Sequence, residues 1–220
     1  MNRTGGAGRV FSAIAFMVIG AVAATLFAGR GPARDDPARV PTAGRVDIGF
    51  SQDMISHHQQ AVTMSQAVRG RAGPAVAQLA LGIELNQLKE IGHMQGWLAL
   101  WNAPQVPSGP PMTWMTNGHS RHGAGAGAGA AMPGLASQQE INRLGEAKGR
   151  DLDVRFLQLM IRHHEGGLVM TTAAARSATI PQVRNLAVLM TTEQHKEIAT
   201  MAGLLAALGH RPLPSPTGRR

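Results

Sequence analysis

The chain has 220 residues and a formal net charge of +8, contains no cysteine, and is 44% hydrophobic but only 4% aromatic. The lack of cysteine excludes disulfides, thiolate metal sites and a cysteine nucleophile. Arginine is concentrated in residues 1–45 and 211–220, around a nearly neutral body, so the charge does not predict a nucleic-acid-binding protein.

The N-terminal segment predicts export. Residues 10–29 contain no charged side chain and follow Arg3 and Arg9, and a segment of this length can span a bilayer. We predict an uncleaved signal anchor within residues 1–29, with a cleavable signal peptide as the alternative. A linker rich in Pro, Gly and Arg follows at residues 30–45. We therefore expect an extracytoplasmic protein, periplasmic or at the cell surface, anchored in the cytoplasmic membrane by residues 10–29.

Four long helical segments follow the anchor. Glycine and proline mark their ends, because both residues disfavour the interior of a helix. The run Ser137-Gln138-Gln139-Glu140 predicts a capping box that opens a short additional helix. The long helices are predicted to run from Asp47 to Arg69, from Pro74 to Trp101, from Asp151 to Arg176 and from Pro181 to Gly209.

A linker at residues 102–136 separates the helices into two pairs. Its Gly, Pro and Ala content predicts a flexible segment, although it carries Met112, Met115, His119, His122 and Met132. Two helix hairpins joined by one long crossover predict an all-α fold, a four-helix bundle. The bundle is assigned to residues 46–210, with hairpins at 46–101 and 137–210 and a basic tail at 211–220.

The two hairpins are copies of one another. Met54-Ile55-Ser56-His57-His58 is repeated as Met160-Ile161-Arg162-His163-His164, with a Phe four residues before each Met. The second helices of the hairpins match as well, since Gln87, Glu90 and Met94 correspond to Gln194, Glu197 and Met201. A duplicated unit of this kind predicts a two-fold site built from both halves.

Polar residues interrupt the apolar stripe of each long helix near its middle. The interruptions are His57, His163, Gln87, Glu90, Gln194 and Glu197. Burying a glutamate is costly unless it is paired or binds a metal. Buried His57–Glu90 and His163–Glu197 ion pairs are the alternative to a metal site, and core packing is the alternative role of the methionines.

The available ligand types favour copper. Thioether and imidazole without thiolate suit copper, especially Cu(I), in an oxidising compartment. Zinc at the histidine pairs is an alternative. Di-iron is disfavoured, because Glu90-x-x-His93 has the expected spacing but Thr200 replaces the second histidine, and Gln59 and Asn86 stand where Glu165 and Glu193 stand in the other half.

The repeated segments resemble the bacterial family named domain of unknown function 305 (DUF305), over about residues 46–208. Its hallmark is Phe, then Met-Ile-x-His-His and Met, followed by Gln-x-x-Glu-Ile-x-x-Met. The resemblance implies a ferritin-like four-helix bundle outside the cytoplasm, and copper binding linked to copper tolerance in some members. This chain departs from the family pattern at Gly167, where Ala is usual, and at Leu135, which replaces the second Met of a Met-Pro-Gly-Met stretch.

The leading hypothesis is a copper-binding protein, rather than an enzyme, that buffers or hands on Cu(I). A metalloenzyme using the same pocket, either a di-metal oxidase or a metal reductase, is one alternative, and an interaction domain with buried His–Glu pairs is another. Expected partners are a metal ion, the membrane through the N-terminal helix, and a second copy of the chain or a metal-transfer partner. The predicted site comprises nitrogen from His57, His58, His163 and His164, sulfur from Met64, Met94, Met170 and Met201, and Glu90 and Glu197 to orient the histidines.

Overall fold

The computed structural model describes residues 40–115 and 132–216, and within these ranges the chain forms helices and no strand. The all-α prediction is therefore confirmed. Two of the predicted long helices begin at their prolines, as expected for a residue that lacks an amide hydrogen. The helices are α1 (Arg45–Val68), α2 (Pro74–Leu100), α3 (Gln138–Glu146), α4 (Gly149–Ser177) and α5 (Pro181–Ala207), with a 3₁₀ turn at Thr113–Met115.

The long helices form two hairpins that pack side by side. Helix α1 packs along α2, α4 packs along α5, and the hairpins meet mainly through α1 and α4, whereas α2 and α5 touch only sparsely. The short α3 begins with the predicted capping box, because Ser137 Oγ accepts a hydrogen bond from Glu140 N–H and the Glu140 carboxylate accepts from Ser137 N–H.

Two aspartates at equivalent positions join the hairpins. Asp47 of α1 is fully buried, and its carboxylate accepts hydrogen bonds from the amides of Thr179 and Ile180 at the start of α5. Asp153 of α4 accepts from the amide of Gly73 at the start of α2. Each hairpin thus supplies a carboxylate to the N-terminal end of a helix in the other, where unpaired amides and the helix dipole favour a negative charge.

The core consists of two apolar clusters, and each cluster draws on both hairpins. The first contains Met64 of α1 with Phe156 and Met160 of α4. The second contains Phe50 and Met54 of α1 with Met170 of α4. Along α4 the His163-His164 pair separates the two clusters, and along α1 the His57-His58 pair does so except at Val62, which belongs to the second cluster. The predicted polar layer therefore lies between two largely separate apolar regions.

The linker packs against α1 at both of its described ends. The buried Asp53 carboxylate accepts hydrogen bonds from the Met112 amide at 2.6 Å and from Trp114 Nε1 at 2.8 Å, and the Trp114 ring lies edge-on to Phe50. Composition predicts a flexible linker because the segment has no apolar core of its own. These described ends are instead held by a buried carboxylate and an aromatic contact supplied by α1.

Several sequence predictions lie outside the described residues, among them the anchor at residues 10–29, His119 and His122, and the end of the basic tail. Across residues 40–115 and 132–216, no helix combines the length and the apolar character that crossing a membrane requires.

Candidate metal centre

The centre of the bundle is a layer of four buried histidines. The rings of His57 and His163 stack across the interface of α1 and α4, with their centroids 3.8 Å apart and their planes inclined by 35°. His58 and His164 flank this pair, and none of the four residues exposes more than 1% of its surface. The repeat thus brings its paired histidines together as predicted from the duplication.

The two glutamates pair with the second histidine of each motif. His58 Nε2 lies 2.7 Å from Glu90 Oε2, and His164 Nε2 lies 2.7 Å from Glu197 Oε2. The alternative pairing of Glu90 with His57 and of Glu197 with His163 is wrong. The physical reason is rotation about the helix, because consecutive residues differ by about 100° and the first histidine is directed to the α1–α4 interface.

The other two histidines donate to backbone carbonyls. His57 Nε2 lies 3.2 Å from the Pro133 carbonyl oxygen, and His163 Nε2 lies 3.0 Å from the carbonyl oxygen of His57. A carbonyl oxygen can only accept, so Nε2 carries the hydrogen in both rings and Nδ1 carries the lone pair. Sequence patterns could not reveal these partners, because any residue type supplies a backbone carbonyl.

Three of the Nδ1 lone pairs are buried and have no hydrogen-bond partner among the described residues of the protein. They belong to His57, His58 and His164. Buried polar atoms of this kind are rare in folded proteins and require an explanation. A histidine that donates its Nε2 hydrogen to a carboxylate or carbonyl, with a free Nδ1 lone pair, is in the form that binds a metal ion.

Burial keeps the central pair neutral. Desolvation, followed by repulsion from His58, lowers the pKa of His57 to about 3. The pKa of His163 also lies well below its usual range, because of desolvation and then repulsion from His57. Neutral imidazoles need not lose a proton before binding a metal, so a metal at this pair would not compete with protonation near neutral pH.

All four predicted methionines are fully buried on either side of the histidine layer. Met64 and Met201 lie in the first apolar cluster, and Met94 and Met170 lie in the second. Each cluster therefore contains one of these thioethers from each hairpin. The histidine layer has sulfur-containing residues in the apolar cluster on both sides.

The grouping of the side chains does not fit a structural zinc site. In the described part of the chain, no three His, Asp or Glu side chains are grouped so that they could hold one ion. Structural zinc sites need four ligands and rarely use thioether. A metal at this layer would therefore need ligands beyond the His, Asp and Glu side chains, and thioether is a ligand type that Cu(I) accepts.

Two grooves lie between α2 and α5, and each is lined by one of the glutamates that pair with the histidine layer. Glu90 and His93 line a groove of about 280 Å³, and Glu197 lines another of about 420 Å³. The side chains of both glutamates are 15% exposed. The carboxylates that hold His58 and His164 are therefore half-buried groups that reach solvent, rather than fully buried ones as the helical stripe predicts.

The chain is similar to a family and to several solved structures. The sequence model described as Domain of unknown function (DUF305) matches residues 47–205. A candidate secreted DUF305 protein from Streptomyces coelicolor is 41% identical with a TM-score of 0.69, and the similarity covers 76% of this chain and 96% of that one. A DUF305 fragment from Deinococcus radiodurans is 31% identical with a TM-score of 0.61, over 76% of this chain and 99% of that one.

A copper-bound structure is also similar. CopM in its Cu(II)-bound form is 25% identical with a TM-score of 0.55, and the similarity covers 73% of this chain and 96% of that one. Comparison with curated proteins finds no match.

Proposed function

The chain belongs to the DUF305 family, and from this membership we propose that it is an extracytoplasmic copper-binding protein that holds Cu(I) for buffering, tolerance or transfer. CopM, which is similar in fold, has a solved structure in a Cu(II)-bound form. Family and fold alone do not assign a metal to this chain, so the proposal depends on its own residues.

The observation that carries the proposal is the set of buried Nδ1 lone pairs without a partner on His57, His58 and His164. Leaving a buried acceptor unpaired costs roughly 1–3 kcal/mol for each group, and a bound cation would remove that cost. The Glu90 and Glu197 carboxylates would hold His58 and His164 in orientation and make their Nδ1 atoms better donors.

Sulfur would complete the coordination. Met64, Met94, Met170 and Met201 are the thioethers that flank the layer in the two apolar clusters. Thioether and imidazole ligands select Cu(I) over harder cations. In this role the methionines serve as ligands and as core residues at once, since an unbranched side chain can adjust its position within a packed core.

An extracytoplasmic location is supported by two observations. The similar protein from Streptomyces coelicolor is described as secreted. The uncharged segment at residues 10–29 has the length of a membrane anchor, and anchoring through it is part of the proposal.

The test is anaerobic titration of the full-length chain with Cu(I) in competition with a chelator of known affinity. We expect tight binding at a low integer ratio, and loss of that binding in the double variants His57→Ala/His163→Ala and His58→Ala/His164→Ala. The double variant His195→Ala/His210→Ala is the matched control, because both of these histidines are exposed. Far-ultraviolet circular dichroism establishes that each variant is folded.

The outcome that contradicts the proposal is wild-type affinity in both buried-histidine variants. The pairs His58–Glu90 and His164–Glu197 also fit an interaction domain that binds no metal and uses buried polar pairs to fix helix register. That alternative predicts no integer binding of Cu(I) and no change in melting temperature when Cu(I) is added.

A further inference from the structure

A short backbone segment crosses the interface of α1 and α4 beside the stacked histidines. It comprises residues 132–136, at the end of the linker, and is called the strap here. Gln60 of α1 holds it from one side, because Gln60 Nε2 donates to the Ala136 carbonyl at 2.9 Å and the Ala136 amide donates to Gln60 Oε1 at 2.6 Å. From α4, Arg162 donates to the Leu135 carbonyl and to Glu140.

Two glycines allow the strap to approach α4 closely. Gly134 has a φ of 80°, in the left-handed region that other residues seldom adopt. A Cβ atom at Gly166 would overlap the Pro133 carbonyl oxygen, so only glycine fits under the strap at this position. The position equivalent to Gly166 in the first hairpin is Gln60, which binds Ala136 instead. The two copies therefore differ at the position where each of them contacts the strap.

The strap is joined directly to the histidine layer. The Pro133 carbonyl accepts the Nε2 hydrogen of His57, which leaves the lone pair on the buried Nδ1 atom. The Pro133 carbonyl thus fixes the Nε2 hydrogen of His57, just as the Glu90 carboxylate fixes that of His58. A metal ion on Nδ1 withdraws electron density from the ring and makes the Nε2 hydrogen a stronger donor. The hydrogen bond to the strap should therefore strengthen when metal binds.

We propose that the strap is a positioning element of the copper site, so that docking of the strap and binding of copper favour each other. This inference rests on the proposed function. Coupling between two equilibria is reciprocal. The factor by which a docked strap tightens copper binding must equal the factor by which copper stabilises the docked strap.

The experiment measures both factors on the full-length chain. Hydrogen–deuterium exchange of the peptide that contains residues 132–136 reports docking, with and without Cu(I), and chelator competition reports affinity. We expect Cu(I) to slow exchange of the strap about tenfold. We expect Gly166→Ala to speed strap exchange and to weaken Cu(I) binding about tenfold, within the range of about 10–100-fold found for groups that orient metal-binding histidines.

Gly203→Ala is the matched control. Gly203 also lies inside a helix, but nothing is within 4 Å of the Cβ position, so neither exchange nor affinity should change. Gln60→Ala provides a second way to release the strap without adding an atom near His57. The inference is overturned if the strap exchanges equally fast with and without Cu(I), or if both strap variants bind Cu(I) like the wild type. Failure of the wild type to bind Cu(I) would instead overturn the proposed function.

Discussion

At the scale of single residues, the hydrogen-bond partner of each histidine determines which nitrogen is free. His58 and His164 donate to carboxylates, whereas His57 and His163 donate to carbonyl oxygens. The carboxylates are negatively charged and raise the basicity of the rings that they hold, which a neutral carbonyl does to a smaller degree. The flanking histidines should therefore contribute strongly to metal affinity.

Replacing the carboxylates should weaken copper binding without unfolding the protein. Glutamine at Glu90 and Glu197 keeps an acceptor for His58 and His164 but removes the charge. We expect the double variant to bind Cu(I) about 10–100-fold more weakly, measured by chelator competition. Glu193→Gln is the control on α5, because the Glu193 carboxylate accepts a hydrogen bond from Lys196 on the same helix rather than from a histidine of the layer. Equal losses in control and double variant would contradict the prediction.

The neutral central histidines predict a dependence of stability on pH in the metal-free protein. The pKa of His57 is lowered from 6.5 to about 3, and that of His163 is lowered well below 6.5. Below pH 6.5 the unfolded chain binds protons that the folded chain does not bind. The folded protein therefore keeps its full stability above pH 6.5. Its free energy of unfolding decreases as the pH falls from 6.5 towards the folded pKa of the two histidines.

Urea unfolding between pH 6.5 and 4.5 checks this dependence. For each pH unit by which the pH is lowered, each histidine should raise the equilibrium constant for unfolding by up to tenfold. The window ends at 4.5, which is the ordinary pKa of the Glu140 carboxyl. Its hydrogen bonds to Arg162 lower that pKa to about 2 in the folded protein, so most of the stability that Glu140 contributes is lost below this window. The double variant His57→Gln/His163→Gln should have a flatter profile. A profile as steep as that of the wild type would mean that other groups take up the protons.

At the scale of helices, carboxylates from the opposite hairpin fix where α2 and α5 begin. Asp47→Ala removes the acceptor of three amides, since Gly44 also donates to Asp47. We expect it to lower the free energy of unfolding by about 2–3 kcal/mol, and Asp153→Ala by about 1 kcal/mol, as for other capping residues. Chemical denaturation measures both changes. Asp151→Ala is the control, because Asp151 is exposed and its ion pair joins it to Arg155 on its own helix, one turn away.

The sequence predicted where the helices begin better than it predicted which residues contact one another. Prolines at 74 and 181 and the capping box at Ser137 are local signals, and the helices begin there. The histidine layer could be predicted because the duplicated motif lies on the apolar stripe. The choice of His58 over His57 as the partner of Glu90 depends on helix rotation within the bundle, which periodicity does not fix. Contacts such as Pro133 with His57 join residues 76 positions apart, and no local pattern records them.

At the scale of the whole molecule, the two hairpins do not have separate cores. Each apolar cluster takes methionines from both hairpins, and the aspartates at 47 and 153 cross between them. A protease site placed between residues 123 and 131 would cut the chain without touching either hairpin. We expect the two fragments to co-elute in size-exclusion chromatography and to retain Cu(I) binding. Separation of the fragments, with each still helical, would show that the hairpins fold independently.

The crossed aspartates and the strap, of which the described part of the chain contains one, together bear on how such a chain could have arisen. A lone hairpin of this kind would expose one apolar face and would leave the amides at the start of one helix without an acceptor. A second identical molecule could bury that face and supply the acceptor, as in a two-fold homodimer. A symmetric pair must carry every feature twice, so a segment lying beside its axis would collide with its own image. Fusing the copies into one polypeptide removes that constraint. The residues at positions 166 and 60, glycine and glutamine, can then differ. One half can evolve to let the strap pack closely against it, while the other half holds the strap by hydrogen bonds.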